Sequence, residues 1–378
     1  VKKTTFKTAV SMAVAIVSTT MLAACGSNGR PGTSGRAPVA SSPVYVSVPV
    51  PPPAPLIRRR PAAPPQLTAT IASLARGFEG KFGIAVRAVD DGWMVEERGR
   101  QLLPQQSVSK LWVAITLLDL RDSGKARLDD PITVRPEDLT LFHQPIASLV
   151  KGDGYRTTVG DLLTRALTRS DNTANDRLLS YVGGPKAVRA MIDRKQLGDI
   201  RFGPGERLLQ SKTAGLTWVQ AYARDNGFMI ARSRLSPAVR AAALDAYVSD
   251  PPDGAAPVAI VDALSRLARG ELLSETSTRI MLDTMGSSVT GRARLRAALP
   301  GGWEIAHKTG TGQDLGSRNA GFNDVGLITA PDGRRFAIAV MIGDTREKIR
   351  DRQTLIQNVA NAVATYAGDI RGAPGAAN

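Results

Sequence analysis

Strand-like runs stand at both ends of the apolar part of this chain and helical runs fill the stretch between them, an order that few folds accommodate. At the front, GIAVRAVDDGWMVEE is two alternating runs joined by Asp-Asp-Gly, a hairpin signal. At the back, residues 303–310, 321–330 and 335–344 are strand-like again, with Pro-Asp-Gly-Arg at 331–334 as the turn between the last two. Apolar residues recur at helical spacing in LTATIASLARGF, from Leu67, and in a closing segment, roughly Arg350 to Tyr366. The run after Ser107 is apolar nearly all round, which predicts a helix buried in the middle of the molecule. Together these features predict an α/β protein: an α/β sandwich with one antiparallel sheet made by both chain ends, plus an all-helical region, and a site in the cleft between them.

The regular pattern starts only at Leu67, and two different stretches precede it. Residues 1–24 carry three lysines, then a moderately apolar run rich in Ser, Thr and Ala, too short for a stable membrane span, which reads as an export signal. Its end, LAAC, is similar to the lipobox of bacterial lipoproteins, and that similarity implies that Cys25, the only cysteine, becomes the lipidated first residue. A plain secretory leader with a chance cysteine is the alternative. One cysteine also excludes an intrachain disulfide. Residues 25–66 are rich in Pro, Ser and Gly, with five arginines and no acid, a composition that cannot bury a core and suits a tether. The domain expected to fold is therefore 67–370, with a disordered tail over 371–378. The formal charge of +15 falls to about half once the basic leader and tether are set aside. With no aromatic-interleaved basic stripe in the chain, no nucleic-acid partner is expected.

Three short strings could carry chemistry. Ser107 and Lys110 lie three apart where the buried helix begins, so they share a face, and a desolvated Lys110 could accept the proton of Ser107. The plain alternative, a surface serine and a lysine reaching solvent, is weakened by the apolar neighbours. Ser170, Asp171 and Asn172 follow a helical run and would serve equally as a helix cap. KTGTG at 308–312 ends an apolar strand and could be no more than a strand exit. Only two histidines are present, so no His/Cys cluster with zinc spacing exists; no metal and no cofactor are expected, and His307 is read as a neighbour that tunes charge.

In this order, Ser-x-x-Lys, Ser-Asp-Asn and Lys-Thr-Gly resemble the serine β-lactamases and penicillin-binding proteins, specifically the class A β-lactamases. TTVGDLLTRALTRSDNTAND, GELLSETSTRIML and GFNDVGLITAPDGRRFAIAV extend the resemblance outside the motifs, from about residue 67 to 368. It implies the β-lactamase and D,D-peptidase fold, a β-lactam substrate and a lipid-anchored protein facing the periplasm. Gly26, where an aspartate would signal inner-membrane retention, favours the outer membrane. By the same resemblance Ser107 attacks the lactam carbonyl, its N–H and that of Thr311 form the oxyanion hole, and Lys110 acts as base or proton relay. Ser170 passes a proton to the leaving nitrogen, Asn172 holds Lys110 and the substrate side-chain amide, and Asp171 is structural. Lys308 and Thr309 meet the substrate carboxylate together with Arg294, for which Arg292 or Arg296 could be mistaken. Phe142 stands where an aromatic residue often gates the site, or else belongs to the core.

A hydrolase also needs a base for the deacylating water, which class A enzymes take from a loop Glu-Pro-Glu-Leu-Asn string. RFGPGERLLQ stands here instead. Glu206 and Gln210 keep the four-residue spacing, so the resemblance assigns Glu206 as that base, while Gln210 in place of asparagine puts the positioning of the water in doubt. The chain then carries more residues than a typical member, an insertion over about 211–256 whose apolar spacing predicts a pair of short helices. A monomer is expected. Two rivals remain at this level: a D,D-peptidase acting on wall peptides with slow lactam turnover, and a non-catalytic wall-binding lipoprotein.

Overall fold

The computed structural model describes residues 61–372, so the leader at 1–24, Cys25, most of the tether and residues 373–378 lie outside the described residues. No helix among the described residues is long and apolar enough to cross a membrane. Helix α1 (Pro65–Arg76) leads into strands β1 (Lys81–Ala88) and β2 (Met94–Glu97). The helical middle holds α2 (Lys110–Asp122), α3 (Val159–Thr168), α4 (Asn172–Tyr181), α5 (Gly184–Arg194), α6 (Glu206–Thr213), α7 (Gly227–Ser233), α8 (Pro237–Ser249), α9 (Pro257–Ala268) and α10 (Glu275–Gly286). Strands β3 (Glu304–Thr311), β4 (Phe322–Thr329) and β5 (Arg335–Asp344) follow, and α11 (Ile349–Gly372) ends the described chain.

The five strands form one antiparallel sheet in the order β2-β1-β5-β4-β3. The central pair joins the two ends of the fold, with Ile84 opposite Val340. Side chains of successive residues alternate between faces. Phe82, Ile84, Val86, Phe336, Ile338 and Val340 point to the side covered by α1 and α11. Ala85, Ala337 and Ala339 point the other way, and these small side chains let α9 lie close against the sheet. Beyond α9 the larger core surrounds α2, whose Leu111, Trp112, Val113, Ile115, Leu117 and Leu118 are all buried. Each such side chain contributes on the order of 1.5–3 kcal/mol on burial, which makes α2 the axle of the helical region.

Two boundaries differ from the sequence reading. Helix α1 starts at Pro65, inside the stretch assigned to the tether, because a proline in the first turn loses no hydrogen bond that a helix would have made. Helix α11 runs to Gly372, past the point where the tail was expected to begin. The segment 211–256 holds the anticipated pair of short helices, α7 and α8, and the Ser236 hydroxyl caps α8 by accepting from Val239 N–H.

Candidate active site

Ser107 sits in a single 3-10 turn, Gln106–Ser109, that feeds straight into α2 at Lys110. The residue before it, Gln106, has φ +54°, a left-handed conformation that costs a non-glycine residue on the order of 1–3 kcal/mol and needs outside support. That support is polar: Gln106 N–H donates to Asp253 Oδ2 at 2.8 Å, and its side-chain Nε2 donates to Tyr247 Oη at 2.8 Å and to Ala320 O at 3.0 Å. Strand β3 passes on the other side. A Cβ at Gly310 would stand 2.3 Å from Gln105 O, so only glycine lets the strand backbone come this near the nucleophile turn.

Lys110 is the hub of the site. It is buried, and its Nζ donates to Ser107 Oγ at 2.8 Å, to Asn172 Oδ1 at 2.9 Å and to the carboxylate of Glu206, with which it forms a buried ion pair. Three donors and three acceptors leave the ammonium fully satisfied. Asn172 reaches it from the start of α4, where Asp171 caps the helix by accepting from Ala174 N–H and also holds Ile146 N–H at 2.6 Å. Burial pushes the Asp171 carboxyl up, opposed by these two backbone donors. Asp171 is thus structural, as expected. Ser170, just ahead of the cap, is left-handed at φ +58°, and its Oγ accepts from Lys308 Nζ at 2.9 Å.

Lys308 is fully buried, and desolvation, aided by the nearby charge of Lys110, holds its ammonium well below the usual lysine range. Thr309 Oγ1 meets Thr290 Oγ1 at 2.9 Å. Arg294 lines the cleft and its guanidinium donates to Gly310 O, Asn323 O and Thr311 Oγ1, whereas Arg296 turns away to Gly286 O. Burial lowers Arg294 to about 10, so it remains a cation at neutral pH. His307 is buried and paired with Asp324, its Nδ1 at 2.8 Å from Oδ1.

Glu206 opens α6 and is buried. Its N–H and that of Arg207 donate to the two oxygens of Asp176, at 2.8 and 3.1 Å. Sequence reasoning gave Asp176 no role. The signal was present, since it lies four residues after Asn172 and therefore on the same face of α4. Gln210, one turn after Glu206, donates from Nε2 to Gln106 Oε1 at 2.8 Å and faces Glu206 Oε2 at 3.4 Å.

A cleft of about 370 Å³ opens over these groups. Ser107, Ser170, Asn172, Thr309, Thr311, Arg294, Phe142 and Gln210 line it, while Lys110, Glu206 and Lys308 are buried and bonded to residues at or beside its wall. Phe142 is exposed at the rim rather than in the core, and packs edge-on against Phe228 of α7 at 4.7 Å between centroids. All eleven residues proposed from the sequence therefore converge. The arrangement offers a serine hydroxyl on a lysine, a carboxylate behind that lysine, a second serine on a second lysine, and an arginine at the far wall. That is the equipment for acyl transfer to serine followed by base-assisted hydrolysis.

A family model described as the β-lactamase enzyme family matches residues 66–367. The extended-spectrum β-lactamase PER-1 of Pseudomonas aeruginosa is 29% identical over 308 residues, which span 81% of this chain and 88% of that protein. A solved β-lactamase from Chitinophaga pinensis matches with a TM-score of 0.67 at 25% identity, over 80% of this chain and 99% of its own. PBP-A, solved as an acyl-enzyme with penicillin G, matches with a TM-score of 0.63 at 20% identity, over 82% of this chain and 98% of its own, a likeness of fold alone.

Proposed function

The chain belongs to the β-lactamase enzyme family, and on that footing we propose that it hydrolyses the amide of β-lactams as a class A serine enzyme, through an acyl-enzyme on Ser107. The observation that carries this reading is the single ammonium of Lys110 touching Ser107, Asn172 and Glu206 at once. In acylation Lys110 yields a proton to Glu206 and takes that of Ser107, whose Oγ bonds to the lactam carbonyl carbon. The N–H groups of Ser107 and Thr311 receive the developing oxyanion, each donor contributing ~3–4 kcal/mol to the barrier. As the carbon–nitrogen bond breaks, Ser170 gives its proton to the leaving nitrogen and is recharged from Lys308, whose lowered pKa suits it to that task. Arg294, Thr309 and Thr311 hold the substrate carboxylate, and Phe142 covers the entrance.

Before deacylation Glu206 loses to solvent the proton it took in acylation and Lys308 regains one; the Glu206 carboxylate then takes a proton from water as the water oxygen attacks the ester carbon. The proton returns through Lys110 to Ser107 as the ester bond breaks, and the product leaves as a ring-opened acid. Gln210, in reach of Glu206, steadies that carboxylate and the water beside it. We further propose that Cys25 carries lipid and that the enzyme works as a periplasm-facing monomer on the tether, a reading supported by the LAAC string and the spacer composition. The test is to mix the purified protein with a chromogenic cephalosporin and follow colour and protein mass together. Repeated colour release supports the reading; a lasting mass adduct on Ser107 with one equivalent of colour would indicate a penicillin-binding protein; neither would indicate a binding module.

A further inference from the structure

Tyr247 lies on α8, far from Ser107 in sequence and outside the motifs, yet its hydroxyl is buried within the polar shell of the nucleophile turn. Its phenol group meets two partners: Asp253 Oδ2 at 3.2 Å and Gln106 Nε2 at 2.8 Å. A carboxylate oxygen can only accept, so the hydroxyl proton goes to Asp253, and the phenol oxygen must take its other bond from the amide nitrogen of Gln106. The remaining amide hydrogen of Gln106 goes to Ala320 O. With its nitrogen end fixed, Gln106 turns its Oε1 toward Gln210, which must answer with its own amide nitrogen, at 2.8 Å. The Oε1 of Gln210 is correspondingly turned to Gln313 Nε2 at 3.2 Å. The second hydrogen of Gln210 Nε2 is then free for Glu206 Oε2, 3.4 Å away. A reversed Gln210 would set its carbonyl oxygen against that carboxylate.

We infer that Tyr247, supplied by the segment 211–256, is a positioning residue for deacylation: together with Ala320 O and Gln313 Nε2 it holds the direction of the chain Tyr247–Gln106–Gln210 and so keeps the amide nitrogen of Gln210 facing Glu206. Packing holds it there, since Tyr247 forms an apolar cluster with Leu244 and Val248 of α8 and Leu209 of α6. A glutamine is longer than the asparagine of the family string and has more ways to turn, so an external restraint has more to do here. The segment thus has a specific job in turnover, which its position after Gln210 did not reveal. This inference rests on Glu206 as the deacylating base.

The experiment measures acylation and deacylation rates separately, by rapid mixing with a chromogenic cephalosporin and intact-protein mass, for Tyr247→Phe, Gln210→Ala, the double variant and Glu206→Gln. Tyr247→Phe should deacylate about tenfold more slowly, with acylation within about twofold of the parent and acyl-enzyme accumulating; in the Gln210→Ala background the same substitution should add nothing. Normal deacylation in Tyr247→Phe overturns the inference. So does an equal loss in both steps, or a full additional loss in the double variant, since either would mean that the phenol only supports the fold. Should Tyr247→Phe prove too unstable to assay, Gln106→Met cuts the chain one link further on and must show the same selective deficit; normal deacylation there is equally fatal. If Glu206→Gln arrests deacylation while Tyr247→Phe does not, only this inference falls. If Glu206→Gln turns over normally, the assignment of the base fails and the inference falls with it.

Discussion

Gly310 and Asp253 are single residues whose replacement has a definite physical consequence. Alanine at 310 would press its Cβ to 2.3 Å from Gln105 O, so strand β3 or the nucleophile turn must move by the better part of an ångström. Misplacement on that scale costs on the order of 100-fold in rate, so Gly310→Ala should lose at least that much in kcat/KM for a cephalosporin while the folded fraction measured by circular dichroism stays high. Asp253 is buried, and desolvation raises its carboxyl from 3.8 to about 6. The folded state therefore binds this proton more tightly than the unfolded chain, and the stability gained by doing so is complete below the unfolded value and lost as pH rises through about 6. Over that window the shift amounts to about 3 kcal/mol, so chemical denaturation of the parent relative to Asp253→Asn should move in favour of the parent as pH falls from 7 to 4. At this scale the reactive residues were legible because each motif brings its own spacing. Asp253 and Tyr247 were not, because their meaning lies in contacts with Gln106, more than a hundred positions away in the chain.

Helices α4 and α6 show how elements share one task. Asn172 and Asp176 stand one turn apart on α4; the first holds Lys110, and the second holds the first two N–H groups of α6, hence the backbone of Glu206. Removing that acceptor strips two helix-terminal donors of their partner, so Asp176→Ala should cost about 1–2 kcal/mol in denaturant unfolding and should slow deacylation more than acylation. An Asp176→Asn variant keeps one acceptor oxygen and should fall between the two. Strands β3, β4 and β5 were readable almost to the residue, since period-two alternation and the Pro-Asp-Gly turn mark them from within. Helix α1 was read to start too late, because Pro64 and Pro65 look like tether composition although proline suits a helix start. The pair of helices in 211–256 was visible from apolar spacing, but which face of α8 would turn inward was decided by α6, a tertiary fact.

On the scale of the whole molecule, the sheet joins the early and late strands of the described residues and the helical region folds out between them, so four distant strings meet in one cleft with no metal ligand set required for the proposed chemistry. The order of strands and helices carried that architecture, and the resemblance of the motifs supplied the rest. The proposed anchor belongs at this scale too: Cys25→Ser should move the protein from the membrane fraction to the soluble one, with turnover of the released enzyme unchanged. The central claim is that Glu206, reached through Lys110, clears the acyl group from Ser107, and the most direct measurement is the intact mass of Glu206→Gln after mixing with a chromogenic cephalosporin. The expected result is one colour equivalent per protein and a persistent adduct on Ser107, where the parent shows continuous turnover and no adduct. Continued turnover by Glu206→Gln at the parental rate would contradict it.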